Sequence, residues 1–134
     1  MASTFQLSVV APDKTVIDEL TDTVVAPGVN GYLGVQANHE PFITQLRVGV
    51  LEFRDAGGTM QKVAIAGGFL ETDGEHVIVL ADAAERSGDI DRARAMAAAE
   101  RAKQRLQEKS SDLNLDRATA ALERAANRIK LAGG

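Results

Sequence analysis

A β-sandwich followed by an antiparallel two-helix hairpin, an α+β arrangement, is the fold this sequence predicts. Three observations carry the prediction. Apolar residues alternate with period two in short runs through residues 1–88. Glycine, asparagine and proline break those runs every 8 to 12 residues or so, as in an antiparallel sandwich or barrel. From residue 89 the apolar spacing changes to three and four, and no Gly or Pro recurs before Gly133.

The strands follow in order. Phe5, Leu7 and Val9 alternate with Gln6 and Ser8, and Ala11-Pro12-Asp13-Lys14 reads as the first turn. Val16 to Leu20 and Thr21 to Ala26 are β-type runs, with Pro27-Gly28 and Asn30-Gly31 as breakers. Leu46, Val48 and Val50 alternate, Leu51 and Phe53 supply the other face, and Ala56-Gly57-Gly58 makes a hairpin turn. Lys62 to Ala66, Phe69 to Glu71 and His76 to Leu80 are read as three further strands, with Asp73-Gly74 between the last two. Gly67-Gly68 marks a bulge or a close backbone approach.

Ser87-Gly88-Asp89 closes this region, and a domain boundary is placed after residue 88. Asp89 and Asp91 sit where a helix dipole favours acids, and residues 90 to 109 are rich in Ala, Arg, Lys, Glu and Gln, strong helix formers. Ser110-Ser111-Asp112 interrupts the helix, and a second one is predicted over 113–131. Its seam is Leu115, Ala118, Leu122, Ala125 and Ile129; the facing seam is assigned to Ile90, Ala93, Ala97, Ala102 and Leu106. Such Ala-rich seams bury little area, so conditional stability is expected of the pair. Gly133-Gly134 is expected to fray.

Composition removes several function classes. The 134 residues include no cysteine, which excludes disulfides, thiolate metal sites and cysteine nucleophiles, and two histidines make a His-rich metal site unexpected. No run reaches the roughly 18 to 20 apolar residues of a membrane span, and the first residues lack the pattern of a secretory signal. No nucleophile–base set or catalytic carboxylate pair stands out, so no catalytic residue is assigned. Gly31-Tyr32-Leu33-Gly34 lacks the ending of a phosphate loop, and His39 reads as a turn or interface residue rather than a base.

Charge divides the chain as the periodicity does. Residues 1–88 hold five Lys and Arg against twelve Asp and Glu, a net −7; residues 89–134 hold ten against seven, a net +3. Without aromatic residues and interleaved with acids, the tail is no nucleic-acid module, but it suits an anionic ligand or an acidic protein surface. Folding the hairpin about residue 112 brings Arg94 within a turn of Arg128, and Arg124 lies one turn further on the same face. Three uncompensated guanidinium groups repel by about 1 kcal/mol per close pair, whereas a polyphosphate would join them through forked hydrogen bonds. Glu85 and Asp91 could accept from an adenine amino group, and Ile90 and Ala95 could line its ring. The alternative is a solvated network in which these arginines pair with Glu123, Glu100 and Asp91.

In order along the chain, Val10-Ala11-Pro12-Asp13, Gly31-Tyr32-Leu33-Gly34-Val35, His39-Glu40-Pro41, Gly67-Gly68-Phe69-Leu70-Glu71 and Leu80-Ala81-Asp82-Ala83-Ala84-Glu85-Arg86 resemble the epsilon subunit of rotary F-type ATP synthases. The two Ala-rich helices complete the resemblance. It implies a sandwich that binds the gamma subunit and the c-ring in the central stalk. It also implies a movable helical pair that inhibits ATP hydrolysis when extended toward the alpha and beta subunits. Some bacterial members bind ATP on the folded pair through an I/L-D-x-x-R-A motif, which Ile90-Asp91-Arg92-Ala93-Arg94-Ala95 matches in full. Glu85, Arg124 and Arg128 match the further positions of that site. The implied chain is a non-catalytic subunit, peripheral on the cytoplasmic face of a bacterial plasma membrane, with a thylakoid as the alternative host membrane, and ATP is for it a regulatory ligand and not a substrate. A purely structural stalk subunit and an unrelated β-sandwich binding module are the competing readings.

Overall fold

The computed structural model describes residues 3–108 and 112–132. The chain divides into two units, 1–86 and 87–134. The break falls two residues before the predicted boundary. The 3-10 turn Ser87–Asp89 packs with the helices and belongs to them.

The first unit is built from β1 (Phe5–Ala11), β2 (Lys14–Thr21), β3 (Thr23–Gly28), β4 (Gly31–Gln36), β5 (Phe42–Arg54), β6 (Met60–Thr72), β7 (His76–Ala81) and β8 (Ala84–Arg86). Hydrogen bonding runs β2-β1-β7-β6-β5-β3-β4, with β8 on the other half of β6. The chain doubles this path into a sandwich over one core, in which Leu7, Ile17, Leu51, Phe53, Ile65 and Leu70 are the largest fully buried side chains. Neighbours in the sheet are antiparallel except β1 and β7, which pair in parallel. This departs from the all-antiparallel expectation. A hairpin enforces antiparallel pairing, and β1 and β7 are joined by no hairpin.

Two strands are longer than the sequence pattern suggests. Lys62–Ala66 and Phe69–Glu71 are halves of β6, which pairs with β8 through Val63–Ile65 and with β7 through Gly68–Thr72. The inward phase changes between the halves: Val63 and Ile65 are buried, then Gly68, Leu70 and Thr72. The partner β5 changes phase at the same level, from Leu46 to Gly49, Leu51 and Phe53. Both strands thereby pass from one layer to the other, and Gly67 and Gly68, at φ 86° and 125°, form the corner. A Cβ on Gly68 would lie 2.1 Å from the Leu80 carbonyl oxygen, so the backbones approach as closely as glycine alone allows.

Local turn chemistry agrees with the sequence, with one exception. The Asp55 carboxylate accepts from the amides of Gly57 and Thr59, and Asp73 accepts from those of Glu75 and His76. These bonds hold both carboxyls below the usual carboxylate range; for Asp55 the largest cause is the Gln61 side-chain amide, and for Asp73 the Glu75 backbone amide. Pro27-Gly28, expected as a breaker, instead ends β3, with Pro27 opposite Tyr32 and Gly28 opposite Gly31.

The second unit is the turn followed by α1 (Arg92–Glu108) and α2 (Asp112–Ala132). The three-residue connection, 109–111, and Gly133-Gly134 lie outside the described residues. The helices pack on one another, and the far part of α2 returns to Ser87–Asp89, so the pair is an antiparallel hairpin.

Candidate functional site

The hairpin is built on alanine. Ala95, Ala99 and Ala102 are buried on α1, and Ala118, Ala125 and Leu131 on α2. With α1 ending at 108 and α2 beginning at 112, residue n lies level with about residue 220 − n. Ala95 then faces Ala125, and Ala102 faces Ala118, which matches the burial. The expected seam of α2 is present, with Leu115, Leu122 and Ile129 half-buried beside the two alanines. The expected seam of α1 is corrected. Ala93 and Ala97 are exposed, and the buried row is 95, 99 and 102, with Leu106 half-buried. Six alanines between 93 and 102 make the apolar face ambiguous from spacing, and only the partner helix selects it.

This register also moves the fold point from residue 112 to about 110 and changes the arginine geometry. Arg94 is level with residue 126, midway between Arg124 and Arg128. Arg94 and Arg124 each precede a buried seam alanine by one residue, and Arg128 follows Ala125 by three. A two-fold axis perpendicular to the plane of an antiparallel pair exchanges the helices but keeps each flank in place. Residues with equal offsets from their seams therefore share a flank, and the three arginines stand on one. Arg94 is exposed, and Arg124 and Arg128 are half-buried.

Asp91 caps α1. Its Oδ1 accepts from the Arg94 amide at 3.0 Å, and its carbonyl accepts from the Ala95 amide at 3.0 Å. The acid of the motif thus fixes where the helix starts and keeps further acceptor capacity for a ligand. Ile90 is half-buried, whereas Ala95, expected to line a ring, is 1% exposed and occupied in the seam. Glu85 stands on β8 of the sandwich, opposite Ala64. Arg54–Asp22 and Arg86–Glu19, both at 2.8 Å, are ion pairs of the sandwich. The network of Arg94 and Arg124 with Glu123, Glu100 and Asp91 is not formed among the described residues.

The sandwich offers a different kind of surface. Phe69 lies opposite Leu80, and Ile43 and Ile78 flank Glu71, all on the outward face of β5, β6 and β7. Ile43, Phe69 and Leu80 are each half-exposed or more. Contiguous apolar side chains on an outward sheet face mark a protein contact.

One regularity lies outside the sequence-based expectation. Residues 94–105 and 117–128 both read R-A-x-A-A-x-E-R-A-x-x-R, agreeing at 8 of 12 positions with an offset of 23. Comparing the chain with itself would have found it.

An outward apolar sheet face followed in the chain by a basic two-helix hairpin defines a docking module with a helical appendage. Comparison with known proteins gives that class its family. Residues 4–87 match the ATP synthase delta/epsilon chain β-sandwich domain, and residues 89–133 match the long α-helix domain of the same chain. The chain is 49% identical over 106 residues to the ATP synthase epsilon chain of Desulforamulus reducens, covering 79% of this chain and 80% of the relative. It is 44% identical to that of Moorella thermoacetica over 133 residues, 99% and 98% of the two chains. A chain of the Euglena gracilis mitochondrial ATP synthase, solved with OSCP, F1 and c-ring, shares the fold with a TM-score of 0.79 at 24% identity, covering 95% of this chain and 80% of that one. This chain belongs to the ATP synthase delta/epsilon family.

Proposed function

We propose that this chain is a central-stalk subunit of the rotary ATP synthase whose hairpin senses ATP and restrains ATP hydrolysis. The outward apolar face of the sandwich docks against the gamma subunit and the c-ring. The chain works at the cytoplasmic face of a bacterial plasma membrane, held there by its partners; none of its described helices is long and apolar enough to cross the membrane.

The observation that carries the reading is the placement of Arg94 between the levels of Arg124 and Arg128 on one flank, beside the cap Asp91. Three guanidinium groups on that flank fit the charge and the forked geometry of a triphosphate. The donors and acceptors of the hairpin suit a nucleotide: arginine for phosphate, Asp91 as an acceptor for the amino group of the base, Ile90 as an apolar wall. ATP held there binds the closed hairpin and not the opened one, so it stabilises the closed form by RT ln(1 + [ATP]/Kd). As ATP falls, the helices separate, the arginines part, and the basic helices reach acidic surface on the alpha and beta subunits.

Calorimetric titration of the full chain with ATP tests the sensor. Saturable heat is expected, and Arg94→Ala should weaken binding about tenfold or more, the value of a charge-assisted hydrogen bond. No heat at millimolar ATP, or equal binding by Arg94→Ala, would leave a purely structural stalk subunit.

A further inference from the structure

Six of the seven arginines of the hairpin form two sets, and only one set belongs to the site above; the seventh, Arg92, three residues before Ala95, stands on the other flank. Arg94, Arg101 and Arg105 on α1 are spaced by seven and four residues; Arg117, Arg124 and Arg128 on α2 repeat that spacing. In both rows the first two arginines immediately precede a buried alanine, Ala95 and Ala102 on α1, Ala118 and Ala125 on α2. Equal offsets from the seams put both rows on the same flank, by the two-fold argument already given. The repeat and the antiparallel register agree: exchanging the helices carries Arg94 onto Arg117, Arg101 onto Arg124 and Arg105 onto Arg128.

Levels along the hairpin then sort the six into triads. Arg128, Arg94 and Arg124 lie at the levels of residues 92, 94 and 96 of α1. Arg101, Arg117 and Arg105 lie at levels 101, 103 and 105, about 13 Å away along the axis. The second triad is the two-fold image of the first. Arg101, Arg105 and Arg117 are all exposed, and none enters an ion pair among the described residues. Glu100 and Glu123 precede an arginine by one residue and so project about 100° around their helices, away from this flank. Between the triads, Ala98 and Ala121 leave a low floor that the long arginines overreach.

We infer that Arg101, Arg105 and Arg117 form a second oxyanion site, which takes a phosphate chain. The physical case is that of the first triad. Like charges gathered on one flank are relieved by a multivalent anion, and guanidinium grips phosphate oxygens in pairs; Glu108, which shares the flank three residues beyond Arg105, forms no ion pair with the second triad among the described residues. The sites differ beyond the arginines. The repeat offset carries Asp91 onto Asn114, so the capping carboxylate of the first site has no counterpart in the sequence at the second. The second site therefore recognises phosphate without preference for a nucleobase, and inorganic tripolyphosphate is its probe.

Titration of the full chain with inorganic tripolyphosphate at constant ionic strength tests the inference. The unaltered chain is expected to bind two equivalents. R101Q/R105Q/R117Q should bind one; glutamine keeps helix propensity close to that of arginine, and an unchanged far-UV spectrum checks the fold. R124Q/R128Q should retain one equivalent at the second site, whatever becomes of ATP binding. R101K/R105K/R117K, which keeps the charge and loses the fork, should bind there at least tenfold more weakly. Equal stoichiometry in the unaltered chain and in R101Q/R105Q/R117Q overturns the second site, as does undiminished affinity in the lysine variant. Failure of the ATP sensor would show in Arg94→Ala and leave these outcomes distinct.

Discussion

The sandwich and the hairpin are stabilised in opposite ways. The sandwich core is filled by Leu, Ile, Val and Phe side chains at essentially no exposure, and its two 13-residue strands tie both layers together. The hairpin seam is mostly methyl groups: of the six buried residues among those described, five are alanine. At about 25 cal/mol per Å², an alanine contributes a fraction of what a buried Leu or Phe does. Charge widens the contrast, because six arginines of the hairpin gather on one flank, while Arg54 and Arg86 of the sandwich pair singly with Asp22 and Glu19. The sandwich is thus packed to stay folded, whereas the alanine seam leaves the hairpin a smaller margin, the property that the proposed opening requires.

The contrast can be broken most severely at the sandwich corner. Gly68→Val should cost on the order of 3 kcal/mol or more, since the new Cβ meets the Leu80 carbonyl oxygen and the Ala81 Cα while φ stays positive. Chemical denaturation monitored on the strands should show the loss, with helical content unchanged at low denaturant. A comparable change inside the core, Leu51→Ala, is expected to cost about 3 kcal/mol by opening a cavity at a fully buried position.

The seam should answer to the reverse substitution. Ala125→Leu overpacks the contact with Ala95 and should destabilise the hairpin by about 1–3 kcal/mol, read as lost amide protection on α1 and α2 with none lost on the sandwich. If both regions loosen together, they are not separately stable. Asp91→Ala removes the α1 cap and should cost about 1 kcal/mol, again confined to the hairpin.

Acid should separate the regions more gently. The carboxyls of Asp55 and Asp73 are lowered in the folded chain, so their stabilisation is present above the ordinary carboxylate range and is lost as pH falls through the lowered folded values. Both serve sandwich turns. Asp55→Asn should flatten the acid limb of the sandwich transition and leave that of the hairpin unchanged. The smallest effect expected is that of salt. Raising ionic strength screens the arginine flank and should favour the closed hairpin by less than about 1 kcal/mol, while the sandwich barely responds.

How much was legible in the sequence differs between the same two regions. Most strands, their turns and the Gly67-Gly68 irregularity were readable, because period two and turn chemistry are local; β4 and β8 were not, since Gly31-Tyr32-Leu33-Gly34 carries glycines where a strand pattern wants side chains and Ala84–Arg86 is too short to show a period. That Lys62–Ala66 and Phe69–Glu71 are one strand was not, since a phase change within a strand looks like a break between two. The candidate arginines were found in sequence, but their relation was set by a register that spacing alone placed two residues off.

The sequence by itself determined where each kind of structure begins, which half carries which charge, and the repeated arginine rows of the tail. Local dihedral preference, side-chain volume and capping are encoded residue by residue, so those features need no partner. Only the tertiary structure decided that β1 closes on β7 in parallel, that β5 and β6 turn a corner together, and that Ala95 rather than Ala93 or Ala97 faces the second helix. Each is a choice among nearly equivalent local options. The free energy that makes the choice comes from groups distant in the chain, brought into contact only when the whole unit packs.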